Sequence, residues 1–103
     1  MKFQLTRPTW DYNELMEKYG AILKDFGFEE KRITDFASEM EIRLSAVIDW
    51  MTFHDDDCDN IYCFISINSL DELIDLRKRL NCNVIIGSDE GVDFLEVYDG
   101  YRE

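Results

Sequence analysis

The densest run of side chains able to do chemistry is His54-Asp55-Asp56-Asp57-Cys58-Asp59-Asn60. Asp55, Asp57 and Asp59 alternate like the first ligands of a calcium loop. Such a loop also needs a glycine at its sixth position and a bidentate glutamate at its twelfth. Those places hold Asn60 and Ser66, so the pattern breaks where the cation would be enclosed. His54 and Cys58 invite a nucleophile–base reading, but catalytic pairs normally come from distant segments oriented by the fold. Both lie in this one loop. Gly20, Gly27, Gly87, Gly91 and Gly100 form no phosphate-cradling signature. Carboxylate pairs for glycoside-type chemistry exist among 23 acidic residues, but no spacing singles one out.

The remaining metal and redox chemistry is thin. One histidine and three cysteines (Cys58, Cys63, Cys82), with no Cys-x-x-Cys, do not make a zinc site or a disulfide framework. Cys63 stands in an apolar run and reads as a small buried hydrophobe. The expectation is a protein with no catalytic residue, no cofactor and no bound metal. A small enzyme using acidic residues with the help of a divalent metal is the minority alternative.

Charge is the strongest signal. The chain of 103 residues carries 23 acidic and 11 basic side chains, a net charge of −12. Residues 1–32 hold six of each and sum to zero, so the whole excess lies in residues 33–103. Like charges oppose compaction, so this surplus needs a reason beyond the fold. Direct nucleic-acid binding is disfavoured, because phosphates call for Lys and Arg. A carboxylate surface instead suits a partner with a Lys/Arg-lined groove, which it would find fast through opposite potentials. The segments expected at that contact supply Asp55, Asp56, Asp57, Asp59, Asp89, Glu90, Asp93, Glu96 and Asp99. Tyr101 joins them, because tyrosine gives an interface apolar area and a hydrogen-bonding tip at little entropic cost. Charge kept only for solubility is the bland alternative.

The elements that would position these residues fit one domain spanning 1–103. Phe3–Leu5 reads as a short first strand. Tyr12, Leu15, Met16, Tyr19, Ile22, Leu23 and Phe26 recur at helical spacing, with Asp11 as N-cap and Gly27 as terminator. Residues 33–52 admit two readings. A helix places Ile33, Phe36, Ala37, Met40, Leu44, Val47, Ile48 and Met51 on one side. A strand alternates Met40, Ile42, Leu44, Ala46, Ile48 and Trp50 with polar residues. The helix is preferred, and a β-hairpin over about 40 to 67 is the alternative. Residues 61–67 read as a central strand. Ser69 and Glu72 form a capping box opening a helix over 70–80, which Asn81 ends. Val84–Ile86 and Val92–Tyr98 are strands joined by a turn at 88–91. The expected class is α+β: a three- to four-stranded sheet with two or three helices packed mainly on one face.

No apolar run is long enough to span a membrane, and the N-terminus lacks a secretory signal, so a cytoplasmic protein is expected. Residues 65–73 (Ile-Ser-Ile-Asn-Ser-Leu-Asp-Glu-Leu), Val84-Ile85-Ile86 and the closing Val97-Tyr98-Asp99-Gly100-Tyr101-Arg102-Glu103 resemble the C-terminal half of small bacteriophage and mobile-element proteins. Size, acidity and that phage character together resemble anti-CRISPR proteins, many of which block a Cas nuclease by mimicking nucleic acid. The resemblance implies a non-enzymatic inhibitor whose protein partner is a nucleic-acid-binding nuclease. An acidic phage accessory or adaptor protein that binds a host enzyme without mimicry is the second expectation.

Overall fold

The structure, a computed structural model, describes residues 1–6, 11–33, 35, 37, 40, 47, 52–56 and 60–98. Strand β1 (Lys2–Thr6) leads into helix α1 (Tyr12–Lys24) and strand β2 (Glu29–Ile33). A two-residue strand β3 (Phe53–His54) precedes β4 (Asn60–Ser66). Helix α2 (Leu70–Leu80) and the hairpin of β5 (Asn83–Asp89) and β6 (Val92–Tyr98) follow. The strands form one mixed sheet in the order β2-β4-β1-β6-β5, with β3 paired to β4. All neighbours are antiparallel except β1 and β6, which run parallel.

The α+β class stands, but the expected three- to four-stranded sheet does not: there are six strands, with two helices among the described residues. The two strands missed are β2 and β3. β2 reads Glu-Glu-Lys-Arg-Ile and lies at the sheet edge, where a strand buries little and hydrophobic alternation is weak. Its Ile33, which the helical reading of 33–52 included, pairs instead with Asn60. β3 is too short to show a period. Most of the rest of 33–52, including Trp50, lies outside the described residues, as do Trp10 and Cys58.

The topology is two interlocked split β-α-β crossovers. α1 joins β1 to β2 across the intervening β4, and α2 joins β4 to β5 across β1 and β6. Strands β4 and β5 are therefore not neighbours. Phe3, Leu5, Ile61, Cys63, Ile65, Leu95 and Val97 point to the face that meets Leu15 and Leu23 of α1 and Leu76 and Leu80 of α2. Burying such side chains contributes about 1.5–3 kcal/mol each before entropy is charged. On the opposite face Tyr62 and Phe64 are buried with Ile33 and Val47 against them, and Gln4 and Thr6 are buried beside them.

Local signals set the helix ends. Asp11 accepts from the amide of Glu14 at 3.1 Å, and Ser69 accepts from that of Glu72 at 3.2 Å. Glu72 reaches back to the amide of Asn68, one residue before the cap, at 3.3 Å. Asn81 ends α2 in the left-handed region, and the hairpin turns on Glu90 and Gly91, both at positive φ.

Candidate partner surface

The strand directions decide where the acidic residues lie. β4 runs opposite to β1, so the loop before Asn60 sits where β1 finishes. β6 runs with β1, so the β5–β6 turn sits where β1 begins. Asp55 and Asp56 therefore lie at one end of the sheet, and Asp89, Glu90 and Asp93 at the other. Glu96 pairs with Thr6, near the loop end. A strand rises about 3.3 Å per residue, so the ends of β6 alone are about 20 Å apart. Asp57, Asp59, Asp99 and Tyr101 lie outside the described residues.

At the loop end the fold assembles a polar network that sequence reasoning missed. The pairing of β2 with β4 puts Glu30 and Arg32 on the helix-bearing face, opposite Cys63 and Ile61. Helix α1 brings Tyr12 to the same place, and its hydroxyl donates to Glu30 Oε1. Arg32 Nε donates to Glu30 Oε2 at 3.0 Å and Arg32 Nη1 to Asp55 Oδ2 at 2.6 Å. The guanidinium also stands 5.1 Å from the centre of the Tyr12 ring. Only 11% of the Asp55 side chain is exposed, so this contact is sheltered and belongs to the stronger class of ion pair. Arg32 thus ties edge strand β2 to the loop after β3. A parallel bridge from Asp11 to His54 fixes the start of α1 against the same loop.

The electrostatics follow the packing. Burial, the hydrogen bond to Glu30 and that residue's negative charge push the Tyr12 hydroxyl up to about 12. Asp55 first, then Glu30, hold Arg32 in its charged form against partial burial. Burial pushes the Cys63 thiol well up, with Glu30's charge adding to it, so the thiol is held neutral and unreactive. Tyr98 is also shifted upward, by its hydrogen bond with Glu96. Around the network stand Asp11, Asp35 and Asp56, all exposed, so that among the described residues this end carries more carboxylates than the arginine held among them.

Sequence reasoning passed over Glu30 and Arg32 because residues 1–32 balance in charge, and it read Tyr12 only as an apolar position of α1. The one available signal was the alternation Glu30-Lys31-Arg32-Ile33, which places Glu30 and Arg32 on one side of any strand.

A second feature opens at the opposite end on the other face. It is a cleft of roughly 280 Å³ lined by Lys2, Gln4, Lys31, Phe64, Gly91, Val92 and Asp93. One of its two cations, Lys2, is engaged with Glu29 at 3.1 Å and lies 4.6 Å over the Phe64 ring. The volume falls just below that of ordinary ligand pockets.

Compared with protein-family models, curated proteins and solved structures, the chain matches none of them.

Proposed function

We propose that this protein is a non-enzymatic inhibitor that binds a basic nucleic-acid-binding surface of a nuclease, in the manner of anti-CRISPR proteins, and excludes target DNA by acidic mimicry. The observation that carries this reading is the acidic loop end. Asp11, Asp35, Asp55 and Asp56 are gathered with Glu30 around a network that holds β2, α1 and the β3–β4 loop together. A preorganised row of carboxylates suits a Lys/Arg-lined groove, because little ordering entropy remains to be lost on binding. Opposite potentials would also steer the encounter.

Asp56 and Asp11 are the direct contacts in this reading. Arg32 is a positioning residue that aims the loop through Asp55. The hairpin acids Asp89, Glu90 and Asp93 are too far along the sheet to share one compact contact with the loop.

The test is a binding and target-cleavage assay against a panel of guide-loaded and guide-free Cas nucleases at low and high salt. Mimicry predicts inhibition of target-DNA binding that weakens steeply as salt rises. Asp56→Asn with Asp11→Asn should reduce affinity about tenfold at low salt while the fold is retained. Binding that ignores salt would replace mimicry with an apolar adaptor contact. The absence of binding across the panel would refute the nuclease as partner.

A further inference from the structure

Among the described strands the sheet has two edges, β2 and β5, and they are built differently. β2 presents Glu29, Glu30, Lys31 and Arg32, the charged side chains that keep an edge from pairing with another chain. β5 carries its one charge at its last residue, Asp89: Asn83-Val84-Ile85-Ile86-Gly87-Ser88 before it contains no charge and no proline. Ile85 and Ile86, on opposite faces of the strand, are 47% and 45% exposed. A long, uncharged, apolar edge strand is a template for β pairing.

Helix α2 extends the same surface. It lies on the β5 side of α1, because it connects β4 to β5 while α1 connects β1 to β2. Arg79 reaches from α2 to Asp25 at the end of α1, at 2.7 Å. Leu70 precedes Arg79 by about two and a half helical turns and so lies on the opposite flank, towards β5. Ile74, one turn on from Leu70, shares that flank, and both are exposed. Among the described residues six large apolar side chains are exposed, and Leu70, Ile74, Ile85 and Ile86 are four of them.

We propose that β5 pairs antiparallel with β5 of a second copy of this chain, making one sheet continuous across a two-fold dimer, with Leu70 and Ile74 of each copy packing beside the junction. A second copy is favoured over an unrelated partner by charge complementarity along the strand. Arg77 and Lys78 close α2 just before β5 begins, and Asp89 and Glu90 stand where β5 ends. An antiparallel two-fold centred on Ile86 opposes Asn83 to Asp89 and Cys82 to Glu90. It brings the basic helix end of each copy to the acidic turn of the other, twice over. The charge-free centre of β5 lets two chains of net charge −12 approach without like charges meeting there. This inference does not rest on the proposed inhibitor role, which uses the other acidic end.

The experiment is sedimentation equilibrium of the intact chain at concentrations up to about 0.1 mM, with circular dichroism to confirm folding of every variant. The expected result is a reversible dimer. Ile86→Lys should weaken it by roughly tenfold or more by placing like charges at the axis. Because that change sits at the centre of the edge strand, a second set lies at the strand's end and on the flanking turn and helix. Reversing Asp89 and Glu90 to lysine should also weaken the dimer, and reversing Arg77 and Lys78 to glutamate in the same chain should restore it. A strictly monomeric wild type over this range would overturn the proposal, as would a dimer indifferent to both Ile86→Lys and the charge reversals.

Discussion

Tyr12→Phe tests the partly buried polar network most directly, because it removes one donor and leaves the ring in place. In the folded protein the Tyr12 hydroxyl donates to the carboxylate of Glu30. Hydrogen bonds to charged groups contribute about 1.5–3 kcal/mol, and the lower end applies here. Glu30 keeps its contact with Arg32 after the substitution, and its side chain is 31% exposed. The variant should therefore be about 1.5 kcal/mol less stable than wild type near pH 8.

The same geometry sets how that deficit changes with pH. Tyr12 titrates near 10 when unfolded and near 12 when folded. A group whose folded value is raised stabilises fully below its unfolded value and loses that contribution as pH climbs to the folded one. Between pH 10 and 12 the folded state holds the proton more tightly than the unfolded chain, so wild-type stability falls through this window. A tenfold difference in proton affinity corresponds to about 1.4 kcal/mol, so near pH 11 wild type has lost about that much stability, which the phenylalanine variant never had. The two should then be equally stable. Urea unfolding of both proteins at about pH 8 and about pH 11 reads the difference, with every other tyrosine and lysine common to the pair. A stability gap of the same size at both pH values would refute the hydrogen bond and the raised hydroxyl together.

Two further perturbations probe the hairpin. Glu90 occupies a left-handed conformation at φ 51° that asparagine or glycine adopts more readily, so Glu90→Asn should raise stability by about 0.5–1 kcal/mol in urea melts. A Cβ added at Gly87 would stand 2.5 Å from Phe94 Cζ, so Gly87→Ala must displace that ring and should cost about 1–3 kcal/mol. A neutral result at Gly87 would mean that the Phe94 ring swings aside at little cost.

Much of the frame was legible because single residues carried it. Asp11, Ser69 and Asn81 mark helix ends through hydrogen bonds and backbone conformations that their types favour, and they do so in the structure. The apolar run around Cys63 announced a strand buried on both faces, and β4 is buried from Ile61 to Ile65. β2 was illegible for the opposite physical reason. An edge strand is held by backbone hydrogen bonds that any sequence can make, so Glu29-Glu30-Lys31-Arg32 left no trace in hydrophobic spacing. The acidic residues could be counted but not placed: whether Asp55 and Asp89 share a surface depends on strand direction. The parallel pairing of β1 with β6 is a long-range choice that no local motif records. Asp55 itself was expected at a partner contact and is found paired to Arg32.

The position of β6 also has a consequence for synthesis on the ribosome. β1 emerges well before β6, yet one of its two edges stays open until β6 appears about ninety residues later, since Gln4 must wait for Phe94. Until then β5 lacks the strand it pairs with, because among the described strands β6 alone links it to the rest of the sheet. Helices α1 and α2 form from local contacts, but the sheet remains in two parts. A nascent chain stalled before Val92 would expose the apolar face of β1 together with the apolar centre of β5. Such an intermediate is a substrate for chaperones, and β6 is the wedge that closes the sheet.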